Sequence, residues 1–216
     1  MKRWLFILAV LAVVGSFSTA SAQQALFFNE ILADPANDAP GDANGDGTRS
    51  SSEDEFVELA NVSSDPVDIS GWQLGDDEGI GFTFPAGYIM APRSFLVVFG
   101  GGDVTGVDGY NADPLLTRVF SADGTIGNGL ANGGEIVLLH SADGSYDTWL
   151  AYGSMAATGG PPNTDDYEIQ IDVRAAANAD NSITRFPDGN VNILDPFVQH
   201  LTVANAAFSP NKTIDG

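Results

Sequence analysis

Short apolar runs of period two, each stopped by glycine, proline or aspartate, recur along almost the whole of this chain. In Glu55-Phe56-Val57-Glu58-Leu59, Val57 and Leu59 alternate with Phe56 and Glu58, the pattern of a pleated strand. Ala25 to Ala33 is strand-like and broken only by Asn29-Glu30, and Val67 to Leu74 holds two short pieces around Ser70-Gly71. Phe82-Thr83-Phe84 ends against Pro85, and Ser94 to Gly100 runs into three glycines. Glu135 to His140 and Tyr146 to Tyr152 flank Ser141-Ala142-Asp143-Gly144-Ser145, a hairpin signature. Ile183 to Phe186 and Val198 to Val203 complete the set. Only Val173 to Ala179 reads as a helical turn. Many short strands without a helical period predict an all-β chain, a sandwich or a barrel. The irregular segments 36–54, 101–127 and 154–166 are interleaved with strands, so they are loops of one domain. Loops of that length are usually functional or tied by an ion.

Residues 1–22 read as a secretory leader. Lys2 and Arg3 precede the apolar run Leu5 to Val14, and Ala20-Ser21-Ala22 supplies a small-residue cleavage site. The expected mature chain is one domain over residues 23–216, secreted, extracellular or periplasmic, with no membrane anchor. There is no cysteine, so disulfides cannot staple the fold. A bound ion is a plausible substitute. The chain carries 8 basic and 29 acidic residues, a formal net charge of −21. Beyond the leader the basic residues are Arg49, Arg93, Arg118, Arg174, Arg185 and Lys212, scattered without a cluster. Such a surface repels phosphate backbones and anionic lipid, which argues against unaided nucleic-acid binding.

The segment Asp42-Ala43-Asn44-Gly45-Asp46-Gly47, followed by Glu53, fits the calcium-loop spacing D-x-[DN]-x-[DN]-G-x₅-E without a mismatch. Calcium takes six to eight oxygens, and such a loop brings side chains at alternating positions to one point. The spacing casts Asp42, Asn44 and Asp46 as side-chain ligands and Thr48 as a carbonyl ligand. Ser50 acts directly or through water, and Glu53 closes the shell with both oxygens, with Asp54 and Glu55 as alternatives for that last role. Pro35, Pro40 and Gly41 leave no room for an incoming helix, and a strand follows, so the loop is expected between strands. Asp, Asn and Gly also build ordinary turns. Asp103 to Asp113 and the two Ser-Ala-Asp-Gly stretches, 121–124 and 141–144, lack the full spacing with a terminal acid.

Several strings share a wider pattern: Phe28-Asn29-Glu30-Ile31-Leu32-Ala33-Asp34, Glu55-Phe56-Val57-Glu58-Leu59 and Asp68-Ile69-Ser70-Gly71-Trp72-Gln73-Leu74. Phe82 to Pro85, Phe95 to Gly100, Asn132 to Leu138, Ser182 to Gly189 and Phe208-Ser209-Pro210 follow in order. With them the chain resembles the lamin tail domain family, in its exported bacterial form. The resemblance implies an immunoglobulin-like β-sandwich and a non-catalytic interaction module. Its relatives in bacteria occur alone or joined to secreted nucleases and phosphatases. No heptad segment is present, so a filament role is not carried over.

Elsewhere the default readings are structural. Trp72 is expected in the core rather than as a ligand-stacking ring, and Trp149 on the face opposite Tyr146 and Tyr152. Glu30 and Glu58 sit on the outward or edge phase of apolar strands, where pairing with Arg185 or Arg93 is expected. Two histidines, His140 and His200, without cysteine argue against most zinc sites and against Cys–His chemistry. No G-x-S-x-G elbow is present. The first expectation is therefore a non-catalytic calcium-binding module for binding, adhesion or cell-surface structure, with a protein or cell-surface partner. The alternative is a calcium-dependent hydrolase of phosphate esters or nucleic acid, or the accessory module of one.

Overall fold

The computed structural model describes residues 25–144, 147–155, 169–172, 180–190 and 197–214. Two sheets carry the fold. The larger is ordered β13-β12-β1-β2-β7-β8, built from β1 (Leu26–Leu32), β2 (Phe56–Asn61), β7 (Ser94–Phe99), β8 (Val119–Ser121), β12 (Ile183–Arg185) and β13 (Phe197–Gln199). The smaller is β11-β10-β9-β4-β5, from β4 (Gln73–Asp76), β5 (Ile80–Thr83), β9 (Ile136–His140), β10 (Asp147–Ala151) and β11 (Ile169–Asp172). A two-stranded ribbon, β3 (Val67–Asp68) with β6 (Ile89–Met90), closes one end. Pairing is antiparallel except for β7 with β8 and β10 with β11. Among the described residues there is no α-helix, only 3-10 turns. The fold is an immunoglobulin-like β-sandwich.

Alternation decides what lies between the sheets. From the larger sheet come Phe28, Ile31, Val57, Leu59, Leu96 and Val98, and from the smaller Leu74, Val137, Leu139 and Leu150. Each such side chain withdrawn from water contributes roughly 1.5–3 kcal/mol. Trp72 joins this core as expected, near the ring cluster Phe82, Phe84, Tyr88 and Phe120.

The larger sheet is covered on its other face too, and that cover sets the rest of the molecule. Leu32, Phe56, Val97, Phe99 and Val119 form a second core there with Ala43 of the acidic loop and Val104, and Phe208 packs on it from the C-terminal side. Every residue of β1 and β2 is buried. A bulge between Phe28 and Glu30 in the β1–β2 pairing puts Glu30 opposite Glu58, so both carboxylates face this second layer. They are fully buried, which corrects the outward or edge placement and the expected pairing with Arg185 or Arg93. Arg185 instead donates through Nε to Phe28 O and through Nη1 to Asn190 O. Its guanidinium lies over the rings of Phe27 and Phe197, 5.1 and 4.8 Å from their centroids, and burial pushes its pKa down to about 10.

Most of the expected strands are present within a residue or two. The irregular stretch 101–127 contains β8, and β6 and β11 were not foreseen. Val198 to Val203 is strand only to Gln199, after which His200–Thr202 is a 3-10 turn with the Thr202 hydroxyl donating to Gln199 O. The helical turn expected over Val173 to Ala179, Tyr146 and the leader 1–22 lie outside the described residues.

Candidate metal-binding site

Three consecutive glycines at the end of β7 let the acidic loop settle on the sheet. A Cβ on Gly100 would overlap the carbonyl oxygen of Ser52, and one on Gly101 would press on the Glu53 side chain. Gly102 has φ +74 and lies against Asn44 and Asp46. A side chain larger than hydrogen has no place at these positions.

Within the loop, oxygens at alternating positions accept main-chain N–H groups. Asp42 Oδ2 accepts from Gly47 N at 2.9 Å, which closes the first six residues into a ring. Asn44 Oδ1 accepts from Asp46 N at 3.0 Å and Asp46 Oδ1 from Thr48 N at 2.8 Å. Gly45 and Gly47 take φ of +73 and +91, as a turn this tight requires. The loop is also bonded to the glycine turn: Asn44 Nδ2 donates to Gly101 O at 3.3 Å, and Asp103 N donates to Asp46 Oδ2 at 3.2 Å. Asp42 Oδ1 is withdrawn from solvent and has no hydrogen-bond partner.

The two neighbouring acids at the far end of the loop have different surroundings. Glu53 packs its stem on Gly101 and its main-chain oxygen accepts from Gly101 N. Asp54 is fully buried and accepts from Ala43 N, Asn44 N and Ser50 N at 2.8, 3.1 and 2.7 Å. Burial raises its pKa, those three N–H groups oppose the rise, and the Asp42 charge adds to it. Asp54 is therefore the carboxylate that shapes the loop from inside. Ser50 Oγ accepts from Glu53 N at 3.2 Å. Glu55 is turned away to accept from Leu130 N at 2.9 Å.

The donor chemistry suits a hard cation: Asp42, Asn44 and Asp46 offer oxygen ligands in one turn. Among the described residues no three Asp, Glu, His or Cys side chains converge on a metal-binding point. A shell here would have to draw on Asn44, main-chain carbonyls and water beside the carboxylates. The turns outside the loop behave as ordinary Asx turns, with Asp103 accepting from Thr105 N and Asp113 from Leu115 N.

Beside the loop is a cavity of about 700 Å³, walled by Ala43 to Gly45, by Gly106 to Asp108 and by the C-terminal segment from Val203 to Ile214. Asn211 Nδ2 donates to Asp108 O at 2.5 Å and ties two of these walls together. Under the C-terminal wall lies a buried polar layer that sequence reasoning missed. Glu30 accepts from Ser209 N, Ser209 Oγ and Ser182 Oγ at 3.0, 3.0 and 2.5 Å. Glu58 accepts from Asn29 Nδ2 and Asn211 N at 2.8 and 2.6 Å. Ser209 Oγ is 2.9 Å from His200 Nε2, and His200 Nδ1 donates to Ala206 O at 2.8 Å. A serine, a histidine and a glutamate thus meet, but Glu30 contacts the serine rather than orienting the far ring nitrogen. All three are buried, so the arrangement is that of a clamp.

Sheet order, two-sided burial of the larger sheet and a strand-bounded acidic loop define an immunoglobulin-like β-sandwich domain. The chain belongs to the lamin tail domain family, whose model matches residues 19–154. That family consists of non-catalytic immunoglobulin-like domains. No curated protein matches the chain. Among solved structures it is similar to a DUF4876 family protein from Bacteroides thetaiotaomicron, with 14% sequence identity and a TM-score of 0.33. The likeness covers 54% of this chain and 42% of that one.

Proposed function

We propose that the protein is an exported, non-catalytic module that binds calcium at Asp42–Glu53 and works in binding, adhesion or cell-surface structure. The observation that carries the metal reading is the ring closed from Gly47 N to Asp42, which leaves Asp42 Oδ1 shielded and without a donor. An anionic oxygen in that state is stabilised by a cation. Asp42, Asn44 and Asp46 would hold the ion, with Thr48 and Ser50 contributing oxygen and Glu53 completing the shell. The ion would supply charge neutralisation to a loop that carries five acids between Asp42 and Glu55. Export rests on the leader at residues 1–22, and the acidic surface favours a partner that is neither nucleic acid nor anionic lipid.

The test is a thermal melt of the chain from Gln23 onward in calcium and in chelator. Extracellular calcium modules bind at about 10⁻⁴ to 10⁻³ M, and calcium at ten times Kd adds about 1.4 kcal/mol. That shifts Tm by roughly 3–6 °C in a chain of this size. Asp46→Ala and Glu53→Ala should each abolish or sharply reduce the shift. A wild-type melt that ignores calcium at millimolar levels would reduce the loop to an Asp/Gly turn.

A further inference from the structure

The chain contains three Asn-Gly pairs, at 44–45, 128–129 and 132–133. Such a pair can rearrange without an enzyme. The glycine main-chain nitrogen attacks Cγ of the asparagine, and the new C–N bond closes a cyclic succinimide. The side-chain nitrogen leaves as ammonia, carrying off the proton that the glycine nitrogen gives up. Water then opens the ring at either carbonyl, giving aspartate or isoaspartate. Glycine speeds the attack because no Cβ hinders the approach. All three pairs meet that condition, so residue type does not rank them. The fold does.

Asn44 is 1% exposed and its amide is held at both ends: Oδ1 accepts from Asp46 N, and Nδ2 donates to Gly101 O. At Asn128 the nucleophile is occupied, since Gly129 N donates to Ile126 O at 2.9 Å. At the third pair both residues are exposed, and Gly133 N has no hydrogen-bond partner among the described residues. The Asn132 side chain donates from Nδ2 to Asp34 Oδ1 at 2.6 Å.

We propose that Asn132-Gly133 is a modification site of the folded protein, shedding its amide spontaneously while Asn44 and Asn128 keep theirs. The product has a carboxylate where Asp34 met a donor, so the tie becomes a repulsion between like charges. Isoaspartate also adds one methylene to the main chain of the turn 131–134. That turn is anchored on two buried side chains: Leu130 N donates to Glu55 Oε2, and the Tyr152 hydroxyl donates to Ala131 O. The modification therefore detaches the turn from Asp34 while the anchors keep it on the sandwich.

The test incubates the full chain in mildly alkaline buffer and follows the three pairs by protease mapping and mass spectrometry. Folded protein should convert Asn132 at least about fivefold faster than Asn128, the factor that one ordinary hydrogen bond is worth. Asn44 should be slower still. In urea, with the fold removed, the three rates should converge. Gly133→Ala, whose Cβ meets no atom within 4 Å, should fold as the wild type does and slow Asn132 to the rate of Asn128 or below. Folded protein that leaves Asn132 intact, converts all three pairs alike or converts another pair first overturns the proposal. So does a preference for Asn132 that survives in urea, because the fold would then not be choosing. A Gly133→Ala chain that reacts as fast as the wild type overturns it as well.

Discussion

Carboxylates occupy two regions of this molecule that lie on the same face of one sheet and obey opposite rules. In the loop 42–53 the acids are exposed or half-exposed, and Asp42 and Asp46 take N–H donors while staying near water. Beneath the C-terminal segment, Glu30 and Glu58 are sealed and face each other, with serine, asparagine and main-chain donors around them. In the proposed reading the first region would lower its free energy by gaining a cation. The second lowers it by keeping a proton, because two buried negative charges on adjacent strands repel strongly where water cannot screen them. Residue type alone does not distinguish them. What differs is whether a second layer of chain lies on top.

The largest expected effect comes from removing a carboxylate that organises buried main chain. Glu30→Ala orphans Ser209 N and two hydroxyls and leaves a void, and it should cost about 3 kcal/mol or more in urea denaturation. Asp54→Ala strips the acceptor from three N–H groups and should cost about 3 kcal/mol, in calcium or in chelator alike. Glu53→Ala, one residue away, should cost under 1 kcal/mol in chelator and act only on the calcium response. Equal losses for Asp54→Ala and Glu53→Ala would erase the distinction between shaping the loop and binding the ion.

A pH series sharpens the comparison at a third acid. Glu55 is buried at the other side of the loop, and burial pushes its carboxyl up to about 8, with Leu130 N opposing and Asp34 and Glu135 adding to the rise. Folded protein thus keeps this proton to about pH 8, whereas an unfolded chain releases it near the ordinary carboxylate value. Stability from this group is full below about 4.5 and falls between there and about pH 8. Glu55→Gln should flatten the decline by up to about 1.4 kcal/mol per pH unit within that window. An unchanged slope would show that the carboxyl titrates with solvent.

These contrasts also explain how far the sequence could be read. The strand set was legible because Val57/Leu59 and Leu96/Val98 obey period two, and a strand pattern needs only local residues. The acidic loop was legible as a candidate because the six positions proposed as ligands lie within one contiguous segment. The buried polar layer was not, since its partners are separated by up to 179 positions. One local signal did point to it: Leu32 and Phe56 share the phase of the glutamates, so the face called outward was apolar and needed a cover. The bulge at Asn29-Glu30 hid that phase by adding one residue to β1. β6 and β8 escaped because runs of two and three residues carry too little periodicity, and register with neighbouring strands, not propensity, makes them strand.

The smallest effect belongs to an acid that falls between the two regimes. Asp147 starts β10 across the hairpin from His140, with Oδ1 at 2.8 Å from His140 Nδ1 and the two side chains 19% and 28% exposed. Water reaches the pair, so it should gain neither the penalty of the buried glutamates nor the cation affinity of the loop. Measured at pH 5, Asp147→Asn should cost about 0.5 kcal/mol, within the range of exposed ion pairs. Raising salt from 0.01 to 1 M should remove most of that cost, since the screening length falls from about 30 to about 3 Å. A salt-independent loss of 2 kcal/mol would instead place Asp147 with Glu30 and Glu58. Burial by a covering segment would then not be what separates an acid that keeps a proton from one that accepts a cation.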